Sequence, residues 1–301
     1  MNEAIATTRT AGNGNAARAR ADVARLVEWL AAHRRIVAVT GAGVSTASGI
    51  PDYRDENGEW KRQAPMQHSD FVAHASTRRR YWARSFTGWP HMSATVPNAA
   101  HRALTRLEET GHVHSVITQN VDGLHQRADS RRVIDLHGRL DRVKCLDCSN
   151  AVSRAAWQTS LEAANPDWSA RLERIAPDGD ADLIDAHYSR FEVPACAVCG
   201  GVLMPDVVFY GGAIPPARRE EAMATVLASD AVLVVGSSLM VWSAFRLVRA
   251  AAESGTSAAA VNRGRTRADH LLAFKVEAEC GAALSAAARA FERGQAARRT
   301  A

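Results

Sequence analysis

Residues 35–43 read RIVAVTGAG, and the fold turns on how this stretch is read. The run from Ile36 to Thr40 is apolar, short and rich in β-branched side chains, bounded by Arg35 and by a Gly-x-Gly turn. That pattern predicts a buried strand feeding a tight turn rather than a helix. The same grammar recurs four times: HSVITQN (114–120), RVIDLHG (132–138), AVLVVGSS (231–238) and SAAAVNRG (257–264). Each is a short apolar run that leaves into Gly or polar residues. Helical stretches are expected between them: 22–34, with Val23, Leu26, Val27 and Leu30 at helical spacing, 98–110 with Asn98 as its cap, 241–253, and a closing helix over 281–294. Strands alternating with helices predict an α/β fold built on a Rossmann-like parallel sheet, with ligands at the C-terminal ends of the strands.

Two stretches break this alternation. Residues 56–96 are rich in Trp, Arg and His without a strand pattern, and 139–202 hold four of the five cysteines. They are read as a helical insert and a zinc-binding insert that together form a smaller lobe. The large domain then comprises 21–55, 97–138 and 203–295, between a disordered tail over 1–20 and a short tail over 296–301.

The formal charge of +5 does not point to nucleic acid. Residues 1–20 contribute Arg9, Arg18 and Arg20 against Glu3, and residues 289–301 contribute Arg289, Arg293, Arg298 and Arg299 against Glu292, so residues 21–288 sum to zero. A nucleic-acid groove needs basic charge on the folded body. No apolar run reaches the roughly 18 residues of a spanning helix, so no membrane role is expected. The start of the chain lacks an apolar signal core. A cytoplasmic location is expected, with the mitochondrial matrix as the alternative if the Arg-containing start is a transit peptide. A monomer is favoured.

Cys145 and Cys148 form one C-x-x-C pair and Cys196 and Cys199 a second. Four thiolates in two knuckles suit tetrahedral Zn2+, and with every position filled by sulfur the ion is structural. Residues 150–193 must then loop out, partly as helix. Neither pair opens a helix after a strand, which disfavours a redox role.

Residues 118–138 crowd Gln119, Asn120, Asp122, His125 and His137 into two strand exits. His137 directly follows a strand and precedes Gly138, where a proton-transfer group would face the ligand crevice. His125 and His101 are read as structural. Gly41 and Gly43 allow close backbone approach to a phosphate, Gly49 and Pro51 shape the loop that follows, and Asp52 and Arg54 are available to a charged ligand. Residues 200–212, GGVLMPDVVFYGG, read by pattern as a core strand.

In combination, GAGVSTASGIPDYR (41–54), TQNVDGLH (118–125), DLHG (135–138), the paired cysteines, MPDVVFYGG (204–212), VVGSSLMV (234–241) and VNRG (261–264) closely resemble the sirtuins, NAD-dependent protein deacylases, over about residues 21–290. RYWARSFTGWP (80–90) and DRVKCLDC (141–148) are similar to the class II branch. The resemblance implies a two-lobed fold in which NAD and an acyl-lysine peptide meet between the lobes. It implies that Gly41, Ala42, Gly43, Ser45, Asp52, Tyr53 and Arg54 surround the diphosphate and nicotinamide end. Gln119, Asn120 and Asp122 would hold the nicotinamide ribose and carboxamide. Gly236, Ser237, Ser238, Asn262 and Cys280 would surround the adenosine. His137 would be the general base, assisted by Asn120, and nicotinamide and O-acyl-ADP-ribose the products. The peptide would lie as a strand along Val207, Phe209, Tyr210 and Gly211, which replaces the core reading there. Many sirtuins carry Phe where this chain has Tyr53. Tyr81 and Arg84 form a Tyr-x-x-Arg pair that in another branch grips acidic acyl groups, so acidic or longer acyl groups are expected to be removed better than acetyl. The alternatives are a protein mono-ADP-ribosyltransferase using the same NAD site and a non-catalytic NAD sensor.

Overall fold

The structure is a computed structural model and describes residues 3–61, 66–175, 179–184 and 186–300. In chain order its elements are α1 (Glu3–Ala32), β1 (Ile36–Thr40), α2 (His68–Ala73), α3 (Ala75–Ala94), α4 (Ala99–Glu109), β2 (Val113–Thr118), α5 (Leu124–Arg127), β3 (Val133–Asp135), β4 (Gly138–Cys145) and β5 (Ala151–Ser153). There follow α6 (Arg154–Ala164), β6 (Arg171–Ile175), β7 (Ala181–Ile184), β8 (Leu203–Val207), α7 (Pro216–Leu227), β9 (Ala231–Val235), α8 (Trp242–Glu253), β10 (Ser257–Val261), β11 (Phe274–Val276) and α9 (Cys280–Thr300).

Six strands form one parallel sheet in the order β11-β10-β9-β1-β2-β3. Alternating side chains go to opposite faces, as a pleated strand requires. Ile36, Ala38, Leu233 and Val235 join Leu26, Leu30, Leu104, Leu107 and Leu284 beneath α1, α4 and α9. Val37, Val39, Val232 and Val234 join Val226, Phe245, Leu247 and Val248 beneath α7 and α8. Burial on both faces explains why these strands are apolar throughout. The chain runs outward one way through β1, β2 and β3 and the other way through β9, β10 and β11. The order therefore reverses between β1 and β9, and a crevice opens at that switch point.

A second, antiparallel sheet has the order β5-β4-β8, and β6 pairs with β7 as a hairpin. Around these lie α2, α3 and α6, enclosing an aromatic core of Phe71, Tyr81, Trp82, Trp157, Phe191 and Phe209. The hairpin and β11 have no counterpart in the pattern reading: β6 carries alternating charge on a surface ribbon, and β11 is only three residues long.

Both tails depart from expectation. Residues 3–20, expected to be disordered, are the first part of α1, and 296–300 complete α9. Ala and Arg, strong helix formers, make up half of 3–20 and most of 296–300, and each stretch continues a helix already anchored by packing. Residues 1, 2 and 301 lie outside the described residues. No helix among those described is long and apolar enough to cross a membrane.

One glycine joins the two sheets. Gly138 has φ +86, and a Cβ there would lie 2.0 Å from the Asp206 carbonyl oxygen. Gly138→Ala is expected to cost roughly 3 kcal/mol or more, from left-handed strain plus backbone overlap. Urea denaturation followed by far-UV circular dichroism measures it.

Candidate active site

The C-terminal ends of the parallel strands line a cavity of about 760 Å³. Each strand exit is held by its neighbour. The backbone N–H of Gly41 donates to Val235 (3.2 Å), that of Gly43 to Gly236 (2.9 Å), that of Gly236 to Val261 (3.0 Å) and that of Gln119 to Thr40 (3.0 Å). A Cβ on Gly41 would meet the Ser237 side chain at 2.8 Å, and one on Gly43 would meet the Gly236 carbonyl at 2.9 Å. The glycines thus serve close approach of backbone to backbone, which leaves room for a ligand over the exits. That cradle suits an extended dinucleotide lying across the switch point.

Side chains continue this network. Asn120 Nδ2 donates to the Gly41 carbonyl (3.1 Å) and to Ser45 Oγ (3.0 Å). The Ser45 hydroxyl donates to Asp122 Oδ2 (2.7 Å), whose Oδ1 accepts the Leu124 N–H (2.8 Å). Gln119 Nε2 donates to Ser237 Oγ (2.8 Å) and to the Thr40 carbonyl (3.1 Å). Burial pushes the Asp122 carboxyl above the usual carboxylate range, against the hydrogen bonds from Leu124 and Ser45. The loop after the Gly-rich turn is held by its own contacts. Lys61 Nζ pairs with Asp52 Oδ1 at 2.6 Å, Arg54 donates to the Gly58 carbonyl at 2.7 Å, and the Arg54 guanidinium lies 3.8 Å over the Trp60 ring.

His137 is half-buried, and desolvation drives its pKa down to about 4, so its ring is neutral near pH 7. Its Nδ1 lies 3.1 Å from the Gln119 carbonyl, which can only accept, so Nδ1 carries the proton. Nε2 therefore holds the lone pair and accepts from the Ser243 hydroxyl at 2.8 Å. Its backbone carbonyl accepts the Val208 N–H at 2.8 Å, which ties the imidazole to the end of β8.

Among the residues expected to bind cofactor, all fifteen line this one cavity, from Gly41, Ala42 and Gly43 through Ser45, Asp52, Tyr53, Arg54, Gln119, Asn120 and Asp122 to Gly236, Ser237, Ser238, Asn262 and Cys280. His137, Val207, Phe209, Tyr210, Gly211 and Tyr81 line it as well. Burial pushes the Cys280 thiol up to about 12, and its S–H donates weakly to the Val261 carbonyl. Arg84 is the exception. Its Nε donates to the Ala181 carbonyl (2.7 Å) and pairs with Asp180 (3.0 Å), while Nη2 pairs with Asp182 (2.8 Å), so the guanidinium is committed to the β6–β7 hairpin and does not line the cavity. The Tyr210 carbonyl is also taken, by the His68 N–H at 2.8 Å. The sequence reading missed Ser243 and Trp60. Ser243 sits in an ordinary helix-start stretch, and Trp60, whose ring meets Tyr53 and Tyr210 edge-on, carries no spacing cue.

Residues 41–243 match the Sir2 family. The chain belongs to the Sir2 family. It is 55% identical to the NAD-dependent protein deacetylase of Xanthomonas axonopodis pv. citri, over 86% of this chain and 89% of that protein. It is 44% identical to the NAD-dependent protein lipoamidase sirtuin-4, mitochondrial, of Bos taurus, over 86% and 83% respectively. A solved structure of Sir2 with a p53 peptide and NAD+ superposes with a TM-score of 0.70 at 30% identity, covering 90% of this chain and 98% of that one.

In this Sir2-family chain the four cysteines converge away from the cavity. Their Sγ atoms all lie within 4.8 Å of one another, with Cys145–Cys199 at 3.5 Å and Cys148–Cys196 at 3.8 Å. A zinc ion with Zn–S bonds of about 2.3 Å needs sulfur–sulfur edges of about 3.8 Å, so the four thiols are placed to hold one ion. Each knuckle closes with a left-handed residue after its second cysteine, Ser149 (φ 61) and Gly200 (φ 76). Purified protein is expected to hold one zinc per chain by plasma emission spectrometry. Cys148→Ser is expected to lose the metal and to lower Tm by several degrees.

Two buried histidines and the half-buried His137 contribute to the acid limb of stability in this Sir2 fold. His101 caps α4 together with Asn98, and His125 bonds Thr40 Oγ1 at 3.0 Å. Burial lowers the pKa of His101 and of His137 from 6.5 to about 4, and that of His125 well below 6.5. Unfolded imidazoles take up protons below pH 6.5 while the folded ones stay neutral, so stability is full above 6.5 and falls toward pH 4. Asp122 and Asp135, raised by burial, act in the opposite sense at the acid end. Calorimetric Tm against pH is expected to fall through this window, and His101→Gln to flatten the slope.

Proposed function

We propose that this chain is an NAD-dependent protein-lysine deacylase with deacetylase activity, releasing nicotinamide and O-acyl-ADP-ribose. The observation that carries the reading is His137: a neutral imidazole with its tautomer set by the Gln119 carbonyl and its basic Nε2 at the wall of a dinucleotide-sized cavity. The curated relatives at 52–55% identity are NAD-dependent protein deacetylases, which supports the same activity here. One solved neighbour holds a deacetylated p53 peptide with 3'-O-acetyl ADP-ribose, which supports the acyl acceptor.

In this reading NAD supplies the ADP-ribosyl group and nicotinamide as leaving group. The chain's residues bind, orient and move one proton. The Gly41–Gly43 turn and Arg54 take the diphosphate, Asn262 and Ser238 the adenosine end, and Gln119 and Asn120 the nicotinamide ribose. Asp122 receives the carboxamide; its carboxyl, raised by burial, gains from an amide donor. His137 Nε2 takes the proton of a ribose hydroxyl, while Nδ1–H stays on the Gln119 carbonyl and steadies the imidazolium. The acyl-lysine peptide enters along Val207, Phe209, Tyr210 and Gly211.

Nicotinamide release from an acetyl-lysine peptide, followed by mass spectrometry, tests this. His137→Ala is expected to lower kcat by roughly 10²–10⁴-fold with NAD still bound. Ser243→Ala is expected to lower kcat by about tenfold with the KM for NAD little changed, since Ser243 positions the imidazole. Labelled NAD that marks protein without forming O-acetyl-ADP-ribose would instead identify an ADP-ribosyltransferase.

A further inference from the structure

Trp242 directly precedes Ser243, whose hydroxyl meets His137 Nε2 at 2.8 Å. It lines the cavity with Met240 and Val241, yet it is 47% exposed. An indole that served only the core would be covered, as Phe245 one turn further along α8 is.

Two guanidiniums lie on this ring. Arg249 Cζ stands 4.9 Å from its centroid and Arg267 Cζ 5.2 Å, and Arg267 also lies 4.7 Å from the Phe245 centroid. Arg249 comes from two turns along α8, on the same stripe as Trp242. Arg267 comes from the segment after β10, where its N–H donates to the Ser238 carbonyl (2.8 Å) and its Nη1 to the Met240 carbonyl (3.2 Å). The ring thus fixes two positive charges that long, flexible side chains would otherwise spread through solvent. The acids around them leave these charges available. Arg249 pairs with Glu253 at 3.4 Å, but the side chains are 45% and 65% exposed, and water weakens such a pair. Asp269 is held by Thr266 and Lys275. In the cofactor loop Asp52 pairs with Lys61, and Asp55 accepts the N–H groups of Asn57 and Glu59.

We infer that Trp242, Arg249 and Arg267 form a subsite for the residues that flank the acyl-lysine, and that it selects acidic side chains over basic ones. This rests on the deacylase reading. An acyl group that reaches His137 passes beside Ser243, so the peptide backbone lies one lysine side chain away from this wall. Its flanking residues are thereby brought to Trp242. A flanking Asp or Glu meets two fixed cations with N–H donors to spare; a flanking Lys meets the same charges with the opposite sign. Because the groups are exposed, the preference is modest and weakens with salt.

The test uses the full-length chain, NAD and acetyl-lysine peptides in an uncharged background. Each peptide carries one Asp, Asn or Lys at a position within three residues of the acetyl-lysine. Nicotinamide release gives kcat/KM at low and at high salt. Asp is expected to exceed Asn by about threefold or more and Lys by about tenfold or more, at one or two positions on one side of the lysine. At roughly 0.5 M salt the differences are expected to shrink to within about twofold. Arg249→Glu is expected to lower the Asp-to-Lys ratio at least about fivefold, with kcat/KM for the Asn peptide within about twofold of the unaltered chain. Trp242→Leu removes the ring that holds both guanidiniums and is expected to lower the same ratio at least about threefold. Equal turnover of Asp and Lys peptides at every position overturns the subsite while leaving the deacylase reading intact. A preference spread evenly over all positions, or one that Arg249→Glu or Trp242→Leu leaves unmoved, overturns its assignment to these residues. Silence on every acetyl peptide sinks the deacylase reading, and the subsite with it.

Discussion

The contact of Gly43 with Gly236 is the constraint on which the rest of the site depends. It joins the exits of β1 and β9, the two neighbouring parallel strands between which the strand order reverses, through an N–H to carbonyl bond of 2.9 Å. Gly236 has φ +56, and a Cβ on it would stand 2.4 Å from the Val44 nitrogen. No larger residue fits on either side without parting the strands. Because the two exits meet here as bare backbone, their side-chain neighbours Ser45 and Ser237 become adjacent to Asn120 and Gln119 from β2. One close approach thus gathers groups from three strands into a single hydrogen-bonded rim.

A second link carries the geometry across to the smaller sheet. Strand β4 begins at Gly138, immediately after His137, and ends at Cys145, a member of the cysteine quartet. It pairs with β8, whose end supplies the Val208 N–H that holds the His137 carbonyl. The thiol cluster sits outside the cavity, yet it anchors the far end of the strand that sets the imidazole. Zinc held by the four thiolates would stabilise the placement of the His137 imidazole while its four sulfur ligands leave no open position for chemistry.

The electrostatics of the two ends of the cavity follow from burial rather than from composition. At the cofactor end, charged groups are present and tied to one another, as in Lys61 with Asp52. At the substrate end, aromatic side chains pack together, and the Arg84 guanidinium is turned toward the hairpin. His137 is neutral because its ring is desolvated, and directional because a carbonyl that can only accept claims one of its nitrogens. A neutral imidazole of one tautomer thus arises from desolvation and one backbone oxygen.

The sequence by itself determined the parallel sheet, the five strand exits of one chemical kind and the cysteine quartet. These are local patterns: β1, β2, β3, β9 and β10 each announce themselves by an apolar run and a polar or Gly exit, and a C-x-x-C knuckle is complete within four residues. The cofactor residues assigned by resemblance to the sirtuins line one cavity because strand exits of a parallel sheet share an end. The tertiary structure alone decided the rest. The helical termini needed a packed helix to extend, β11 needed β10 to pair with, and Ser243 became the partner of His137 across 106 residues. Arg84 shows the reason most plainly. Its spacing from Tyr81 is visible in the chain, but the direction of its guanidinium was set by Asp180 and Asp182, nearly a hundred residues away, and opposite charges that meet only on folding leave no periodic trace in the sequence.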